Sequence, residues 1–141
     1  MSQPNNLHGF ENLRLSLGRS SIQALHVDDD SSFADLVKTF LEREREEITV
    51  TTETTVEDGL AALQGGTIDC VISDYEMPRQ DGLDFLELVR EEYPDLPFIL
   101  FTGKGDEEIA SEAITAGVTE YLQKGTGSDQ YTILANREEK L

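Results

Sequence analysis

The chain has 141 residues, 38% of them hydrophobic, which is enough for one domain with a buried core. Acidic residues outnumber basic residues by 29 to 11, for a formal net charge of −18. Such a surface repels nucleic-acid phosphates and anionic membranes, and no apolar run is long enough to cross a bilayer. We therefore predict no direct nucleic-acid binding and no membrane association.

Charge and cysteine content also bear on where the protein works. The acidity predicts adaptation to high intracellular salt, where counter-ions screen the self-repulsion; an ordinary acidic cytosolic domain is the alternative. The single cysteine, Cys70, lies in a predicted buried strand, and no disulfide or zinc-ligand spacing occurs. This pattern predicts a reducing, cytoplasmic location.

Residues 1–20 lack a signal-peptide pattern, and we predict a flexible leader there. Strand and helix patterns then alternate five times. The first strand is predicted over residues 22–27. The helix after it, with Ser31 or Ser32 as N-cap, has apolar residues at helical spacing. These are Phe33, Leu36, Val37, Phe40 and Leu41.

The second strand, residues 48–52, alternates apolar and polar side chains as an edge strand does. A helix over residues 56–63 follows, with Thr55 before it and the pair Gly65-Gly66 at its end. The third strand, residues 70–73, is the predicted buried strand that contains Cys70. This part of the chain thus repeats the strand–helix order.

The third strand is followed by a turn-rich loop with Met77-Pro78 and Asp81-Gly82, and then by a helix over residues 83–93. A fourth strand over residues 98–101 leads to a helix over about 106–116, with Gly117 as its C-cap. A fifth strand over residues 120–123 and a helix from about Ser128 complete the pattern. The alternation predicts a parallel sheet with helices on both faces.

Five polar residues and one glycine follow four of the five predicted strands. They are Asp28, Asp29, Asp74, Thr102, Gly103 and Lys124. Because the carboxyl ends of parallel strands share one edge of the sheet, we expect these groups to lie together in a crevice there. Three carboxylates, a hydroxyl and an amine suit a divalent cation and a phosphoryl group.

Four motifs in this order resemble the receiver domain of two-component response regulators. They are Val27-Asp-Asp-Asp30, Ile72-Ser-Asp-Tyr-Glu-Met-Pro78 with Asp81-Gly82, Phe101-Thr-Gly103, and Ala116-Gly-Val-Thr-Glu-Tyr-Leu-Gln-Lys124. The resemblance implies a receiver domain over residues 21–137, with a flavodoxin-like (βα)5 fold and strand order 2-1-3-4-5. Residues 138–141 would be a tail, at which the chain either ends or has been cut from a longer one. The acidity resembles receivers of halophilic archaea.

The resemblance implies that Asp74 is the phosphoacceptor, supplied by a histidine kinase or a phosphotransfer protein. Asp28, Asp29 and Asp74, with the backbone carbonyl of Glu76, would hold Mg²⁺. Lys124 would then pair with one phosphoryl oxygen. Thr102 would hydrogen-bond another, and Gly103 would leave the approach open and offer its N–H. Apart from its own phosphorylation and dephosphorylation, the domain is not expected to be an enzyme.

The resemblance also implies a switch that couples Thr102 to Tyr121. Phosphorylation would draw Thr102 inward and repack the face formed by the fourth helix, fifth strand and fifth helix. That face would contact a downstream protein, a covalently linked domain, or a second copy of the chain.

Two features depart from the family or are variable within it. Gly125 follows Lys124 where most receivers have proline after a cis peptide; a cis bond to glycine costs about 2.5–4 kcal/mol, so cis and trans both stay open. Glu76 and Lys104 flank the site, and we predict that they form an ion pair that slows loss of the phosphoryl group.

Other functions are compatible with parts of the pattern. A haloacid-dehalogenase-type phosphatase would use Asp28 as nucleophile and Asp30 as general acid, but would leave Asp74 unexplained. A dinucleotide-binding domain would need a glycine-rich turn where the acidic residues stand. A receiver fold that takes no phosphoryl group would serve as a docking module. His26 is predicted to be a packed core residue.

Overall fold

The computed structural model describes residues 21–103 and 107–124. Five strands form one parallel sheet in this part of the chain. They are β1 (Ile22–Val27), β2 (Ile48–Glu53), β3 (Cys70–Ser73), β4 (Phe98–Thr102) and β5 (Glu120–Gln123). Their order in the sheet is β2-β1-β3-β4-β5, which confirms the predicted flavodoxin-like topology. The predicted leader, fifth helix and tail lie outside the described residues.

Four helices connect these strands. They are α1 (Ser31–Glu44), α2 (Val56–Gln64), α3 (Gly82–Glu92) and α4 (Glu107–Ala116). Buried side chains of α1 pack with alternate strand residues on one face of the sheet. Residues of α2, α3 and α4 pack with the intervening strand residues on the opposite face. The sheet is therefore covered on both sides, as the strand–helix alternation predicts.

Helix α1 differs from its prediction at two positions. Its N-cap is Asp30, whose side chain accepts a hydrogen bond from the Phe33 N–H, so the choice of Ser31 or Ser32 was wrong. Leu36 is 58% exposed. The buried face centres on Ala34, Val37 and Leu41, and Leu36 lies about 100° around the helix from Val37. The apolar pattern was thus one residue wider than the contact with the sheet.

Helix α2 begins after Thr55, as predicted, and α3 begins at Gly82, one residue before its predicted start. The Thr55 hydroxyl accepts a hydrogen bond from the Asp58 N–H at 3.0 Å. Asp81 caps α3 in a reciprocal capping box with Asp84. Gly117, just after α4, has φ of +97°, a backbone conformation that glycine adopts without strain. No helix within residues 21–103 and 107–124 is long and apolar enough to span a membrane.

Candidate functional site

An acidic cluster lies where β1 and β3 end side by side. Asp28, Asp29 and Asp74 each offer one carboxylate oxygen, and these oxygens lie within 4.8 Å of one another. Strands β1 and β3 are adjacent, and the Asp74 N–H donates to the Val27 carbonyl at 3.0 Å. Asp28 and Asp74 are buried, whereas Asp29 is exposed to solvent. The sheet therefore brings together carboxylates from two distant segments.

Backbone hydrogen bonds orient the two buried carboxylates. The Asp30 N–H donates to Asp28 Oδ1 at 2.9 Å, and the Tyr75 N–H donates to Asp74 Oδ1 at 2.8 Å. The Ser73 hydroxyl donates to the Asp74 carbonyl oxygen at 2.8 Å. Both side chains are thus held by the turn that follows their own strand.

Lys124 brings a positive charge to this cluster from the end of β5. Its Nζ lies 3.2 Å from Asp28 Oδ2 and 3.6 Å from Asp74 Oδ1, and its side chain is 19% exposed. Its backbone N–H donates to the Thr102 carbonyl at 2.8 Å, which ties the residue to the end of β4. Among the described residues, a β-carbon added at Gly103 would come within 4 Å of Lys124 Cδ alone, at 3.9 Å. The described part of the chain therefore leaves the space beside Gly103 open.

Burial and neighbouring charges shift the pKa of Asp28. Burial raises the pKa of Asp28, and the charge of Asp74 acts in the same direction. The Asp30 N–H and the Lys124 ammonium oppose this shift. A divalent cation would offset both the burial and the repulsion, and an all-oxygen donor set with an exposed member fits Mg²⁺.

Two neighbours of the cluster were not identified as site residues from the sequence. His26 Nε2 lies 3.8 Å from Asp28 Oδ2, and the ring is fully buried, as predicted for a packed histidine. Burial, and then the charge of Lys124, lowers the pKa of His26 to about 3, so the ring is neutral. The Phe33 ring centroid lies 4.1 Å from Lys124 Nζ. Because Phe33 belongs to the apolar pattern of α1, the sequence indicates only a packing role for it.

The remaining predicted site residues are placed as follows. Thr102 is buried at the end of β4, and Tyr121 is half-buried on β5 opposite Leu100. Glu76 is exposed in the loop after β3. Lys104 and Gly125 lie outside the described residues, so the Glu76–Lys104 ion pair and the Lys124–Gly125 peptide stay predictions.

Comparison with known proteins agrees with this geometry. The family model described as "Response regulator receiver domain" matches residues 24–135. The chain belongs to this receiver family. The match includes all the carboxylates of the cluster, Thr102 and Lys124.

Individual relatives of the receiver agree with this assignment. The DNA-binding transcriptional regulator NtrC of Proteus hauseri is 36% identical to this chain over 79% of its length. The matched region covers 23% of NtrC. A receiver domain protein from Clostridium thermocellum is 30% identical, with a TM-score of 0.73 over 84% of this chain and 94% of its own. Chemotaxis protein CheY4 of Vibrio cholerae is 27% identical, with a TM-score of 0.75 over 83% and 98%.

The receiver assignment also decides against the phosphatase alternative. A haloacid-dehalogenase-type site would centre on Asp28 and Asp30 and would give Asp74 no role. In the structure Asp74 lies within the acidic cluster, while the Asp30 side chain caps α1. Of the three acidic residues that follow β1, Asp28 and Asp29 therefore belong to the cluster, and Asp30 caps the helix.

Proposed function

We propose that Asp74 accepts a phosphoryl group from a phosphohistidine of a histidine kinase or phosphotransfer protein. An Asp74 carboxylate oxygen would attack phosphorus while the bond between phosphorus and the donor nitrogen breaks. The products are an aspartyl phosphate on this chain and a free histidine on the donor. The observation that carries the proposal is the placement of Asp74 beside a second buried carboxylate, Asp28, with the ammonium of Lys124 within 3.6 Å of both.

Mg²⁺ is the cofactor that this site would use. Asp28, Asp29 and Asp74 would supply carboxylate oxygens, and the family resemblance adds the backbone carbonyl of Glu76. When bound, the ion would neutralise charge on the phosphoryl oxygens and on the crowded carboxylates. Phosphoryl transfer depends mainly on such positioning and charge neutralisation.

The cationic and polar residues at the other strand ends would hold the phosphoryl group. Lys124, whose ammonium group lies beside Asp28 and Asp74, would pair with a phosphoryl oxygen when the group reaches Asp74. Thr102 would bond a second oxygen, and the open space beside Gly103 admits the group. Beyond its own phosphorylation and dephosphorylation, the domain would catalyse no reaction.

Signal output would pass through the α4–β5 face. We propose that capture of the phosphoryl group by Thr102 changes the packing of Tyr121, which contacts the core on that side of the sheet. Ile114 of α4 is 69% exposed, an apolar residue available to a partner. The partner would be a downstream protein, a linked domain or a second copy, in a cytoplasmic, salt-rich setting.

Intact mass spectrometry tests the proposal directly. The protein is incubated in concentrated KCl with Mg²⁺ and a small acyl phosphate, beside Asp74→Asn. We expect a gain of one phosphoryl group in the parent, none in the variant, and none with EDTA. No gain in any salt would instead favour the docking module. Donor turnover that survives Asp74→Asn but is lost in Asp28→Asn would indicate a phosphatase.

A further inference from the structure

The aromatic ring of Phe33 contacts the ammonium group of Lys124. Nζ lies 4.1 Å from the ring centroid, within the range at which an aromatic face attracts a cation. The same atom lies 3.2 Å from Asp28 Oδ2 and 3.6 Å from Asp74 Oδ1. The ammonium group is therefore held by two carboxylates and one aromatic face together.

The position of the Phe33 ring is itself fixed by its surroundings. The Phe33 N–H donates to Asp30 Oδ1 at 3.1 Å, in the first turn of α1. The ring meets buried His26 edge-on, with centroids 6.4 Å apart, and lies 6.1 Å from the ring of buried Phe101. Two core rings and a helix cap thus define where the aromatic face lies.

Within the described part of the chain, Gly103 restricts the Lys124 side chain little. Its four-carbon stem is flexible, and on the side of Gly103 even an added β-carbon would be 3.9 Å from Cδ. The next residue is Gly125, and glycine restricts the backbone less than the proline that most receivers have at this position. A contact with a neighbouring side chain can therefore add to the two ion pairs in restricting Nζ to the carboxylate cluster.

We propose that Phe33 is a positioning residue for Lys124. Its ring holds the ammonium group beside Asp28 and Asp74, so that the charge is already in place when a phosphoryl group reaches Asp74. This proposal rests on the proposed function, since it assigns Phe33 a role in the same reaction. It predicts that the aromatic face of the side chain matters, and not only its apolar volume.

Replacement of Phe33 by an aliphatic and by an aromatic residue separates these two contributions. Phe33→Leu keeps an apolar side chain, whereas Phe33→Tyr keeps the aromatic face. We expect Phe33→Leu to slow phosphorylation of Asp74 by acyl phosphate about three- to tenfold, and Phe33→Tyr to restore most of the rate. Phe40→Leu, on the same helix, is the matched control and should leave the rate unchanged.

A spectroscopic measurement reports the contact without any reaction. The ring should shift the ε-methylene proton resonances of Lys124 upfield, because those protons lie close to an aromatic face. We expect this shift to vanish in Phe33→Leu and to persist in Phe33→Tyr and Phe40→Leu. Thermal unfolding of each variant shows whether a rate change follows from lost stability instead.

The outcomes separate this proposal from the proposed function. Failure of the parent to gain a phosphoryl group would refute the function and the proposal with it. A parent that is phosphorylated at the same rate as Phe33→Leu would refute the positioning role alone. An equal rate loss in Phe33→Tyr and Phe33→Leu, or an unchanged Lys124 shift in Phe33→Leu, would do the same.

Discussion

The ammonium group of Lys124 lies 3.2 Å from the buried carboxylate of Asp28, although the two residues are 96 positions apart in the sequence. This ion pair does not fully compensate Asp28. Burial raises the pKa of its carboxyl group, and the neighbouring charge of Asp74 adds to the shift. A raised pKa means that the ionised form of Asp28 costs folding free energy at neutral pH.

The neutral, similarly shaped variant Asp28→Asn should therefore be more stable than the parent without Mg²⁺ at pH 7. Adding Mg²⁺ should stabilise the parent, by about 2.7 kcal/mol at a concentration a hundred times the dissociation constant, because the ion binds the folded state. Asp28→Asn should lose most of this response. Thermal unfolding with Mg²⁺ or EDTA measures both effects.

Asp69→Asn is the matched control for this experiment. Asp69 is also buried, but it lies before β3, at the opposite end of the strand from Asp74, and its carboxylate accepts the Gln23 N–H. Its variant should keep the full Mg²⁺ response. An equal Mg²⁺ response in the parent and Asp28→Asn would place the cation elsewhere.

Gly82 permits the close approach of α3 to the backbone of Asp74, just after β3. A β-carbon there would collide with the Asp74 carbonyl oxygen and lie 2.8 Å from Leu100 Cδ1. Gly82→Ala should therefore destabilise the protein by about 1–3 kcal/mol and slow phosphorylation, since the backbone of Asp74 must move. Urea unfolding and the phosphorylation rate measure the two consequences.

Gly65→Ala offers a comparison at a glycine without such crowding. Gly65 has helical φ and ψ, and an added β-carbon would lie 3.4 Å from the Ala62 carbonyl oxygen. This variant should change the unfolding free energy by less than about 1 kcal/mol. If Gly82→Ala were as mild as Gly65→Ala, the predicted collision would be wrong.

The parallel sheet could be predicted from the sequence because apolar runs and acidic strand ends recur in a fixed order. That order also predicted that Asp28, Asp29, Asp74 and Lys124 meet, since all follow strands of one sheet. These inferences need only local pattern and topology. They do not depend on the rotamer of any side chain.

Side-chain contacts across the site could not be predicted in this way. Phe33 occupies a position that helical periodicity assigns to the core, and its distance to Lys124 depends on how α1 lies on the sheet. Leu36 shows the same limit, because a pattern cannot tell how wide the buried face of a helix is. Whether Asp30, Ser31 or Ser32 is the N-cap depends on the residue at which α1 begins. A sequence pattern does not fix that boundary to a single residue.

His26 should make the protein acid-sensitive. Burial, and then Lys124, lowers its folded pKa to about 3, whereas an unfolded histidine titrates near 6.5. Between these values the unfolded chain binds more protons, so stability should fall as the pH drops from about 6.5 toward 3. The slope is at most about 1.4 kcal/mol per pH unit for one group. His26→Leu should remove this slope.

Urea unfolding at several pH values, with EDTA present, measures the difference between parent and variant. Asp28 affects the pH dependence of stability in the opposite direction, because its pKa is raised. Since Asp28 is present in both proteins, the difference between them reports His26. His8→Leu removes the chain's other histidine and is the control: it should keep the pH dependence of the parent. Parallel pH profiles for the parent and His26→Leu would contradict the prediction.

Lys38 and Glu42 of α1 together bond the backbone of Val50 on the edge strand β2. The Val50 N–H donates to Glu42 Oε2 at 2.8 Å, and its carbonyl accepts from Lys38 Nζ at 2.6 Å. The two side chains also pair with each other at 2.9 Å. Burial opposes ionisation of Glu42, but the Val50 N–H and Lys38 outweigh it and lower its pKa.

Glu42→Gln should therefore destabilise the protein at neutral pH, by about 1 kcal/mol. A carboxyl group with a lowered folded pKa stabilises the fold above its unfolded pKa, and this contribution disappears as pH falls through the folded pKa. The parent and variant should accordingly converge below the ordinary value of 4.5. Because Lys38 and Glu42 are 40% and 33% exposed, concentrated KCl should reduce the difference at neutral pH. Glu44→Gln, on the exposed side of α1, changes the net charge equally, so a matching loss there would show a general charge effect instead of this bridge.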